Sequence, residues 1–221
     1  MNKQIAIDGP AGAGKSTIAR LVAKQLGWIY VDTGAMYRAI ALYITRNGID
    51  SSDKESIAAA LDNIDVSLSF GDEGQIVLLN GENVNGFIRN EEVSAVTSKI
   101  SVYPEVRNKL TLIQKSIAES ENVVMDGRDI GTSVLPDATL KIFLTAGEYA
   151  RAKRRALEYE AKGKTADIEE IMEDIRLRDE RDYTRSVSPL RQAEDAVLID
   201  SSDMSIDEVV NTIISLYNAN N

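Results

Sequence analysis

Hydrophobic and polar positions along this chain alternate between short apolar runs and helical spacing. Five apolar runs each predict a short buried strand, and they lie at 3–8, 29–32, 123–126, 141–144 and 196–200. Helical spacing follows each of them. Apolar strands that alternate with helices favour a parallel sheet covered on both faces. The pattern therefore predicts an α/β fold with a five-stranded parallel sheet flanked by helices.

Helices are predicted wherever apolar residues recur every three or four positions. The first ends at Gly27, and others cover about 35–47 or begin near positions 91, 104, 148, 167 and 205. Two of these starts match a capping box, in which a hydroxyl and an acidic side chain three residues later satisfy each other's backbone N–H groups. The two boxes are Thr145 with Glu148 and Ser205 with Glu208.

Residues 62–86 depart from this rhythm and predict a small antiparallel β-rich insert. Ile64, Val66, Leu68 and Phe70 alternate with polar residues, which is typical of a strand with one buried face. A Gly-Asp-Glu-Gly turn at 71–74 leads to a second run at 75–79, and Asn80-Gly81 leads to a third at 82–85. Such turns join antiparallel neighbours. We expect a three-stranded meander inserted as a subdomain into the α/β fold.

The composition limits the chemistry that this chain can perform. Its 221 residues are 43% hydrophobic, enough for one globular domain. It contains no cysteine and no histidine, which excludes disulfides, thiol chemistry, Ser-His-Asp and Cys-His mechanisms, and histidine-ligated zinc. Carboxylates, lysine, arginine, hydroxyls and Mg²⁺ remain, and phosphoryl transfer depends mainly on such groups. No apolar run has membrane-helix length and no signal peptide is evident, so we expect a cytoplasmic protein without membrane contact.

The charge distribution favours a small anionic ligand over nucleic acid. The chain has a formal net charge of −10, and an acidic protein repels a nucleic-acid backbone. The segment 151–191 nevertheless contains eight arginines and three lysines against ten acidic residues. Arginine side chains bind phosphate oxygens in bidentate fashion, so this segment predicts a local pocket for a small polyanion.

The first predicted helix is preceded by a complete G-x-x-x-x-G-K-S phosphate-binding loop. Glycines allow backbone N–H groups to approach phosphate oxygens, Lys15 can reach the β- and γ-phosphates, and the Ser16 hydroxyl can ligate Mg²⁺. Strand, loop and helix occur in the order that this motif needs. The chain is therefore predicted to bind a nucleoside triphosphate with Mg²⁺. The loop consists of Gly9, Pro10, Ala11, Gly12, Ala13, Gly14, Lys15 and Ser16, and Thr17 follows it.

Two further features each admit a functional and an ordinary structural interpretation. Asp126 ends an apolar strand, where it can orient the Mg²⁺ shell as a Walker-B carboxylate or simply cap the next turn. Arg178, Arg181 and Arg185 are spaced i, i+3 and i+7, so they share one helical face. That face can bind phosphate, or it can be a salt-bridged surface. The same two interpretations apply to the basic helix at 151–155.

Four motifs together resemble the bacterial cytidylate kinase family, a group of P-loop nucleoside monophosphate kinases. The phosphate-binding loop is the first. The others are Asp-Thr-Gly-Ala-Met-Tyr-Arg at 32–38, Asp-Gly-Arg-Asp-Ile-Gly-Thr at 126–132 and Arg-Asp-Glu-Arg-Asp-Tyr-Thr-Arg at 178–185. The loop alone is widespread, whereas these four motifs in this order are specific. The resemblance extends from Ile5 past Leu190, which is essentially the whole chain.

The resemblance implies a single P-loop kinase domain over 1–221 with three parts. They are a core of 1–32, 99–147 and 166–221, a monophosphate-binding region of 33–98 with its β insert at 62–86, and a lid of 148–165. It also implies the reaction, Mg²⁺-dependent transfer of the ATP γ-phosphate to CMP or dCMP. We expect a monomer whose partners are ATP and CMP or dCMP.

Site residues follow from the same resemblance, position by position. ATP is expected to contact residues 9–17 together with Arg151 and Arg155, which with Arg154 lie in the lid. The residues expected to bind CMP are Thr33, Arg38, Ser98, Arg107, Arg128, Asp129, Arg178, Asp182 and Arg185. The catalytic charges are expected on Lys15, Arg128, Arg155, Arg178 and Arg185, and the Mg²⁺ ligands are Ser16 and Asp126.

The implied roles within the CMP set differ by chemistry. Arg38 and Arg128 would hold the phosphate, and Asp182 with Arg178 would hold the sugar hydroxyls. Ser98, Arg107 and Asp129 would face the cytosine, and Arg185 would reach the acceptor end of the site. Cytosine presents an amino donor where uracil presents an acceptor, so a carboxylate at 129 would discriminate between the two bases.

Two other classes of function are compatible with a phosphate-binding loop. One is a kinase for another small acceptor, such as UMP or a shikimate-like compound; the β insert and the residues expected to face a base count against it. The other is a nucleotide switch without phosphotransfer, which would need a guanine-reading Asn-Lys-x-Asp motif that this sequence lacks.

Overall fold

A computed structural model of the chain describes residues 2–71, 74–161, 163 and 165–219. Its strands are β1 (Gln4–Asp8), β2 (Ile29–Asp32), β3 (Val66–Gly71), β4 (Gly74–Leu79), β5 (Glu82–Asn83), β6 (Val123–Gly127), β7 (Leu140–Thr145) and β8 (Val197–Asp200). Its α-helices are α1 (Lys15–Leu26), α2 (Thr33–Arg46), α3 (Lys54–Ala60), α4 (Glu91–Ile100), α5 (Pro104–Ser120), α6 (Glu148–Glu160), α7 (Ile168–Thr184) and α8 (Ile206–Ala219). Five strands form one parallel sheet in the order β2-β6-β1-β7-β8, which confirms the predicted fold class.

Both faces of this sheet are buried, because successive side chains of a strand point to opposite faces. Ile5 and Ile7 of β1 pack on one face, in a cluster with residues of α1 and α8. Ala6 packs on the other face, in a cluster that includes Met36 of α2 and Leu110 of α5. β1 lies at the centre of the sheet, so its carboxyl end meets those of β6 and β2 at one edge. Ligands of open parallel sheets bind outside this edge.

Strands β3, β4 and β5 form a separate antiparallel sheet, which confirms the predicted meander. Asp72 and Glu73, from its first predicted turn, lie outside the described residues. Val77 and Leu79 of the meander pack in the same core cluster as Met36. Gln75 adds a polar attachment: its side-chain oxygen accepts from the Asp32 N–H at 2.7 Å, and its amide donates to the Asp32 carbonyl at 3.2 Å. Because β2 is an edge strand, Gln75 pairs backbone groups on its open side.

The first of the two predicted capping boxes is wrong. Thr145 is the last residue of β7 and pairs with Asp200, so strand pairing takes precedence over capping there. The N-cap of α6 is Gly147, whose N–H donates to the Ser202 hydroxyl at 2.9 Å.

The second capping box is confirmed. The Ser205 N–H donates to the Glu208 carboxylate at 2.8 Å, and the Glu208 N–H donates to the Ser205 hydroxyl at 3.3 Å.

The prediction that three arginines share one helical face is only partly correct. Arg178 and Arg181 belong to α7, but the helix ends at Thr184 and Arg185 follows it with extended backbone.

Two short elements had no counterpart in the periodic pattern. Helix α3 has only two turns and is capped by Asp53, which accepts from the N–H groups of Glu55 and Ser56. A π-helical turn at Ile130–Val134 follows β6 because the buried Asp8 carboxylate accepts from the Ile130 and Gly131 N–H groups at 2.8 and 2.7 Å. Such a contact across 122 positions leaves no local signal.

Helices α6 and α7 pack against each other through Ala152, Ala156, Ile171 and Ile175, a small cluster separate from the two on the sheet. The predicted lid at 148–165 falls on α6 and on the segment that joins it to α7. Within that segment, Lys162 and Lys164 lie outside the described residues. Within the described part of the chain, every helix is too short or too polar to cross a membrane.

Candidate active site

The phosphate-binding loop joins β1 to α1 at the carboxyl edge of the parallel sheet. Gly9 has a φ of 151°, and a Cβ there would lie 1.9 Å from the Leu144 carbonyl oxygen, so only glycine fits beside β7. Gly14 has a φ of 86° and caps α1 without a side chain. The first amide groups of α1 are therefore left for a ligand, and together with the helix dipole they form a site for an anion.

Lys15 is buried, with 5% of its surface exposed, and its Nζ donates to the Pro10 carbonyl at 2.6 Å. Burial lowers the pKa of Lys15 well below its usual value, and Arg128 lowers it further, whereas Asp126 raises it. The charged form of Lys15 is thus poorly compensated by the protein groups around it. It gains electrostatic stabilisation when an anion enters.

Three aspartates end adjacent strands of the sheet: Asp8 on β1, Asp126 on β6 and Asp32 on β2. Asp126 accepts from the Ser16 hydroxyl at 2.8 Å and from the Tyr30 hydroxyl at 2.8 Å. Burial raises the pKa of Asp126, and Asp32, which lies opposite it in register, raises it further. Burial also raises the pKa of Asp8 to about 6. The two backbone N–H groups that donate to this carboxylate lower its pKa, but burial has the larger effect.

The two residues predicted to ligate Mg²⁺, Ser16 and Asp126, are therefore in direct contact. Hydroxyl and carboxylate oxygens suit this ion, and a buried carboxylate with a raised pKa is relieved by a nearby cation. The described residues contain no cluster of three or more acidic side chains able to hold a metal alone. Mg²⁺ usually takes one or two protein oxygens and completes its shell with phosphates and water, so the donor set fits.

Two arginines in the cleft lack full compensation. Arg38 Nη1 is buried without a hydrogen-bond partner and lies 3.9 Å from an Asp32 oxygen, and burial lowers the pKa of Arg38. Arg178 has no hydrogen-bond or ion-pair partner among the residues that the structure describes. Burial lowers the pKa of Arg178 to about 10, with a further contribution from Arg128. Both guanidinium groups are available to an anionic ligand.

Arg128, the residue directly after β6, forms an ion pair with Asp182 of α7. Arg128 Nε donates to Asp182 at 2.7 Å, and Arg185 lies 3.7 Å from the other oxygen of the same carboxylate. Burial alone would raise the pKa of Asp182, but Arg128, Arg178 and Arg185 together hold it below its usual value. The carboxylate is thus charged, and it orients the arginines that surround it.

A second buried charge cluster contains Asp129 with Arg107 and Arg185. Each Asp129 oxygen accepts from one arginine: Arg107 bonds one, and Arg185 bonds the other at 3.3 Å. Arg107 also donates to the Ser101 carbonyl at 3.0 Å and lies 5.7 Å from the centroid of the Tyr37 ring. A carboxylate oxygen has two lone pairs, so Asp129 can still accept from a ligand.

The remaining predicted CMP contacts lie at the walls of the same cleft. Thr33, the first residue of α2, donates its hydroxyl to the Asp126 carbonyl at 2.7 Å. Ser98 on α4 accepts from Arg181 at 3.3 Å, so this pair spans the cleft between α4 and α7.

The three arginines of α6 have different environments. Arg155 lines the cleft, and its guanidinium donates to the Tyr159 hydroxyl at 3.1 and 3.2 Å. Arg154 also lines the cleft and donates to the Ser201 hydroxyl at 3.1 Å. Arg151 lies beneath the phosphate-binding loop and donates to the carbonyls of Ala146 and Ala11. Its predicted contact with ATP has no direct counterpart in this arrangement.

One cleft of about 1310 Å³ connects the loop, the acidic strand ends and the arginines.

Sequence reasoning missed several polar groups that shape this cleft. Asp32 carries the same signal as Asp126, an acidic residue at the end of an apolar strand, and it pairs with Arg89 at 2.8 Å. Tyr30 gave no such signal, because its partner Asp126 is 96 positions away.

The chain is similar to known proteins over nearly its whole length. A family model described as cytidylate kinase matches residues 5–219. A cytidylate kinase from Caldicellulosiruptor saccharolyticus is 52% identical over 213 residues, which cover 96% of this chain and 94% of that protein. One from Carboxydothermus hydrogenoformans is 48% identical over 218 residues, covering 99% and 98%. Among solved structures, an uncharacterized protein from Eubacterium ventriosum matches with a TM-score of 0.52 and 14% identity over 99% of both chains, which concerns the fold alone.

Proposed function

The chain belongs to the cytidylate kinase family and is an ATP-dependent cytidylate kinase, and we propose that its cleft binds ATP at the phosphate-binding loop and CMP or dCMP among the arginines. The γ-phosphoryl group leaves ADP and forms a bond to a phosphate oxygen of CMP, which gives CDP. The observation that carries this placement is a pair of arginines, Arg38 and Arg178, whose charges are only partly balanced by nearby carboxylates and which share one cleft with Lys15.

The donor phosphates are held by residues 9–17, through backbone N–H groups and the amino terminus of α1. Lys15 exchanges the Pro10 carbonyl for phosphate oxygens and neutralises charge that grows on the transferred group. Arg155 reaches the same phosphates from α6. Arg151 supports this site through the loop rather than by contact with ATP, as argued below.

Mg²⁺ is the cofactor that we propose with ATP, and Ser16 and Asp126 would hold it. When bound, the ion neutralises phosphate charge and orients the donor. Tyr30 fixes the second oxygen of Asp126, so the carboxylate keeps one orientation.

The acceptor phosphate is held by Arg38 and Arg128, with Thr33 beside them at the start of α2. Two anionic substrates repel each other, and guanidinium groups on both sides remove that repulsion. Arg178 and Arg185 line the path between the two phosphates and stabilise the charge of the transition state. Asp182, which is ion-paired to Arg128, accepts from the sugar hydroxyls.

The base is read by Asp129 and Arg107, with Ser98 at the opposite wall. An ionised Asp129 accepts from the cytosine amino group, whereas the O4 of uracil would face it with an acceptor. Arg107 donates to O2, which both bases present. An unmatched buried acceptor costs about 1–3 kcal/mol, so UMP should be a poor substrate.

Replacing Asp129 by asparagine tests this assignment. The introduced amide offers a donor as well as an acceptor, so kcat/KM for CMP should fall by roughly tenfold to a hundredfold, while that for UMP should stay constant or rise. The measurement is steady-state kcat/KM for both substrates at saturating MgATP.

Asp195→Asn is the matched control, because it neutralises an aspartate that pairs with Lys141 at 2.8 Å outside the cleft. We expect wild-type selectivity from this control. Equal losses for CMP and UMP in Asp129→Asn would mean that the carboxylate only supports Arg107 and Arg185, and the base-reading role would be wrong.

We further propose that the chain acts as a monomer in the cytoplasm and divides into a core, a monophosphate-binding region at 33–98 and a lid at 148–165. One chain supplies every residue assigned above, and a chain without cysteine suits a reducing compartment. The small core that α6 and α7 share apart from the main sheet, and the separate antiparallel sheet of the insert, support this division.

Hydrogen–deuterium exchange tests the division. Binding of CMP together with a non-hydrolysable ATP analogue should slow amide exchange in 148–165 and 33–98, because both regions close over the ligands and exclude water. Exchange in β1 and β6 should change little, because these strands are buried in both states. Unchanged exchange in both regions with saturating ligands would contradict it.

A further inference from the structure

A buried ion pair bonds both backbone polar groups of one residue of the phosphate-binding loop, Ala11. The Ala11 N–H donates to Asp179 at 2.9 Å, and the Ala11 carbonyl accepts from Arg151 at 2.8 Å. Arg151 also bonds the second oxygen of Asp179. Only 5% of Arg151 and 8% of Asp179 is exposed, and neither lines the cleft. Their polar groups therefore serve the loop and each other.

The two residues come from α6, which belongs to the predicted lid, and from α7, which follows the lid. Arg151 lies in the first turn of α6, and its Nε also donates to the Ala146 carbonyl at 2.9 Å, just after β7. Asp179 lies on α7. A Cβ on Gly12 would lie 3.2 Å from the Arg151 Cβ, so the loop passes as close to α6 as a glycine allows. The pair thus connects the loop, the end of β7 and both helices.

Because each peptide unit is planar, the hydrogen bonds of Asp179 and Arg151 to Ala11 also fix the orientation of neighbouring loop groups on the phosphate side. No peptide bond in the described residues is cis, so the N–H and C=O of each unit point in opposite directions. Asp179 fixes the Ala11 N–H and thereby the Pro10 carbonyl, which is the group that holds Lys15 Nζ. Arg151 fixes the Ala11 carbonyl and thereby the direction of the Gly12 N–H.

We propose that Asp179 and Arg151 are positioning residues for the donor phosphates, and that they couple the α6–α7 pair to the conformation of the loop. The proposal rests on the proposed function, because it concerns the ATP side of that site. A buried ion pair is by itself a weak source of stability, since its attraction is offset by desolvation. What distinguishes this pair is that its two partners bond the N–H and the carbonyl of the same loop residue, Ala11, and so fix the peptide units on both sides of it.

The test is a double variant, Arg151→Met with Asp179→Leu, which removes both buried charges together and keeps the volume similar. The dissociation constant of a non-hydrolysable MgATP analogue should rise about tenfold or more, while that of CMP should stay within twofold. The KM for ATP should rise and kcat should fall, and the KM for CMP should not change. Isothermal titration calorimetry and steady-state kinetics give these values.

Glu173→Gln with Arg176→Met is the matched control, because it breaks an exposed ion pair on the same helix α7. It should bind both ligands as the wild type does. Asp179→Asn is isosteric and serves if the double variant fails to fold. It keeps an acceptor for the Ala11 N–H but holds Arg151 less firmly, so ATP binding should weaken about threefold with CMP binding unchanged.

Two results would overturn the proposal. One is wild-type affinity for the ATP analogue in the double variant or, where that variant does not fold, in Asp179→Asn. The other is an equal loss of ATP and CMP affinity that follows a lowered Tm, since a purely structural role predicts that pattern. Failure of the wild-type protein to bind either ligand would instead contradict the proposed function.

Discussion

Replacing Lys15 by methionine is expected to lower kcat on the order of 100- to 1,000-fold, which is the loss typical of removing one preorganised charge or donor at a reacting group. The Lys15 ammonium neutralises charge that grows as the phosphoryl group moves, so the effect should fall mainly on kcat. Methionine keeps the length and volume of the side chain. A coupled assay at saturating MgATP and CMP measures the loss.

The same substitution should leave the free energy of unfolding unchanged or higher. Burial and Arg128 lower the pKa of Lys15, so the folded protein holds this charge at a cost that methionine removes. Lys24→Met, on the exposed face of the same helix α1, is the control and should keep wild-type kcat. Near-normal turnover in Lys15→Met, with an intact circular dichroism spectrum, would contradict the assignment of Lys15 to the donor phosphates.

Replacing Arg38 by methionine should lower kcat/KM for CMP on the order of 100-fold, mainly through KM. A bidentate guanidinium–phosphate contact contributes two charge-assisted hydrogen bonds, each worth about 1.5–3 kcal/mol. In the variant, water molecules bind the phosphate in place of the guanidinium, so the net loss of binding free energy is smaller than the sum of the two. Arg38 Nη1 has no hydrogen-bond partner among the described residues, so the substitution breaks no hydrogen bond of that atom there.

Arg46→Met is the control for this prediction, because Arg46 lies in the last turn of the same helix α2 and pairs with Glu82 on the surface. KM for ATP and Tm should stay close to wild type in both variants. A KM for CMP that changes less than threefold in Arg38→Met would show that Arg38 does not bind the phosphate of CMP.

Local patterns were sufficient to predict the sheet and the loop. Each core strand is an apolar run with turn or cap signals at its ends, and the meander has period-two alternation with an Asn80-Gly81 turn. The loop motif places Gly9, Lys15 and Ser16 by covalent connection to one strand and one helix. These features depend on neighbours in sequence, so sequence was enough.

Features that depend on distant contacts could not be predicted from local patterns. The capping box at Thr145 failed because β8 extends the pairing of β7 to that residue. The direction of Arg151 depends on Asp179, which is 28 positions away, and the role of Gln75 depends on the open edge of β2. The family resemblance supplied Asp129 and Arg107 as base contacts, but their mutual ion pair emerges only from the packing of α5 against the segment after β6.

The measurement that tests the account most directly is ³¹P NMR of the wild-type protein with MgATP and one acceptor at a time, using CMP, dCMP, UMP, AMP and shikimate. The account predicts equimolar ADP and CDP from CMP, the corresponding products from dCMP, transfer to UMP that is at least about tenfold less efficient, and no transfer to shikimate. Preferential phosphorylation of UMP or shikimate, or ADP formed with inorganic phosphate and no CDP, would contradict it.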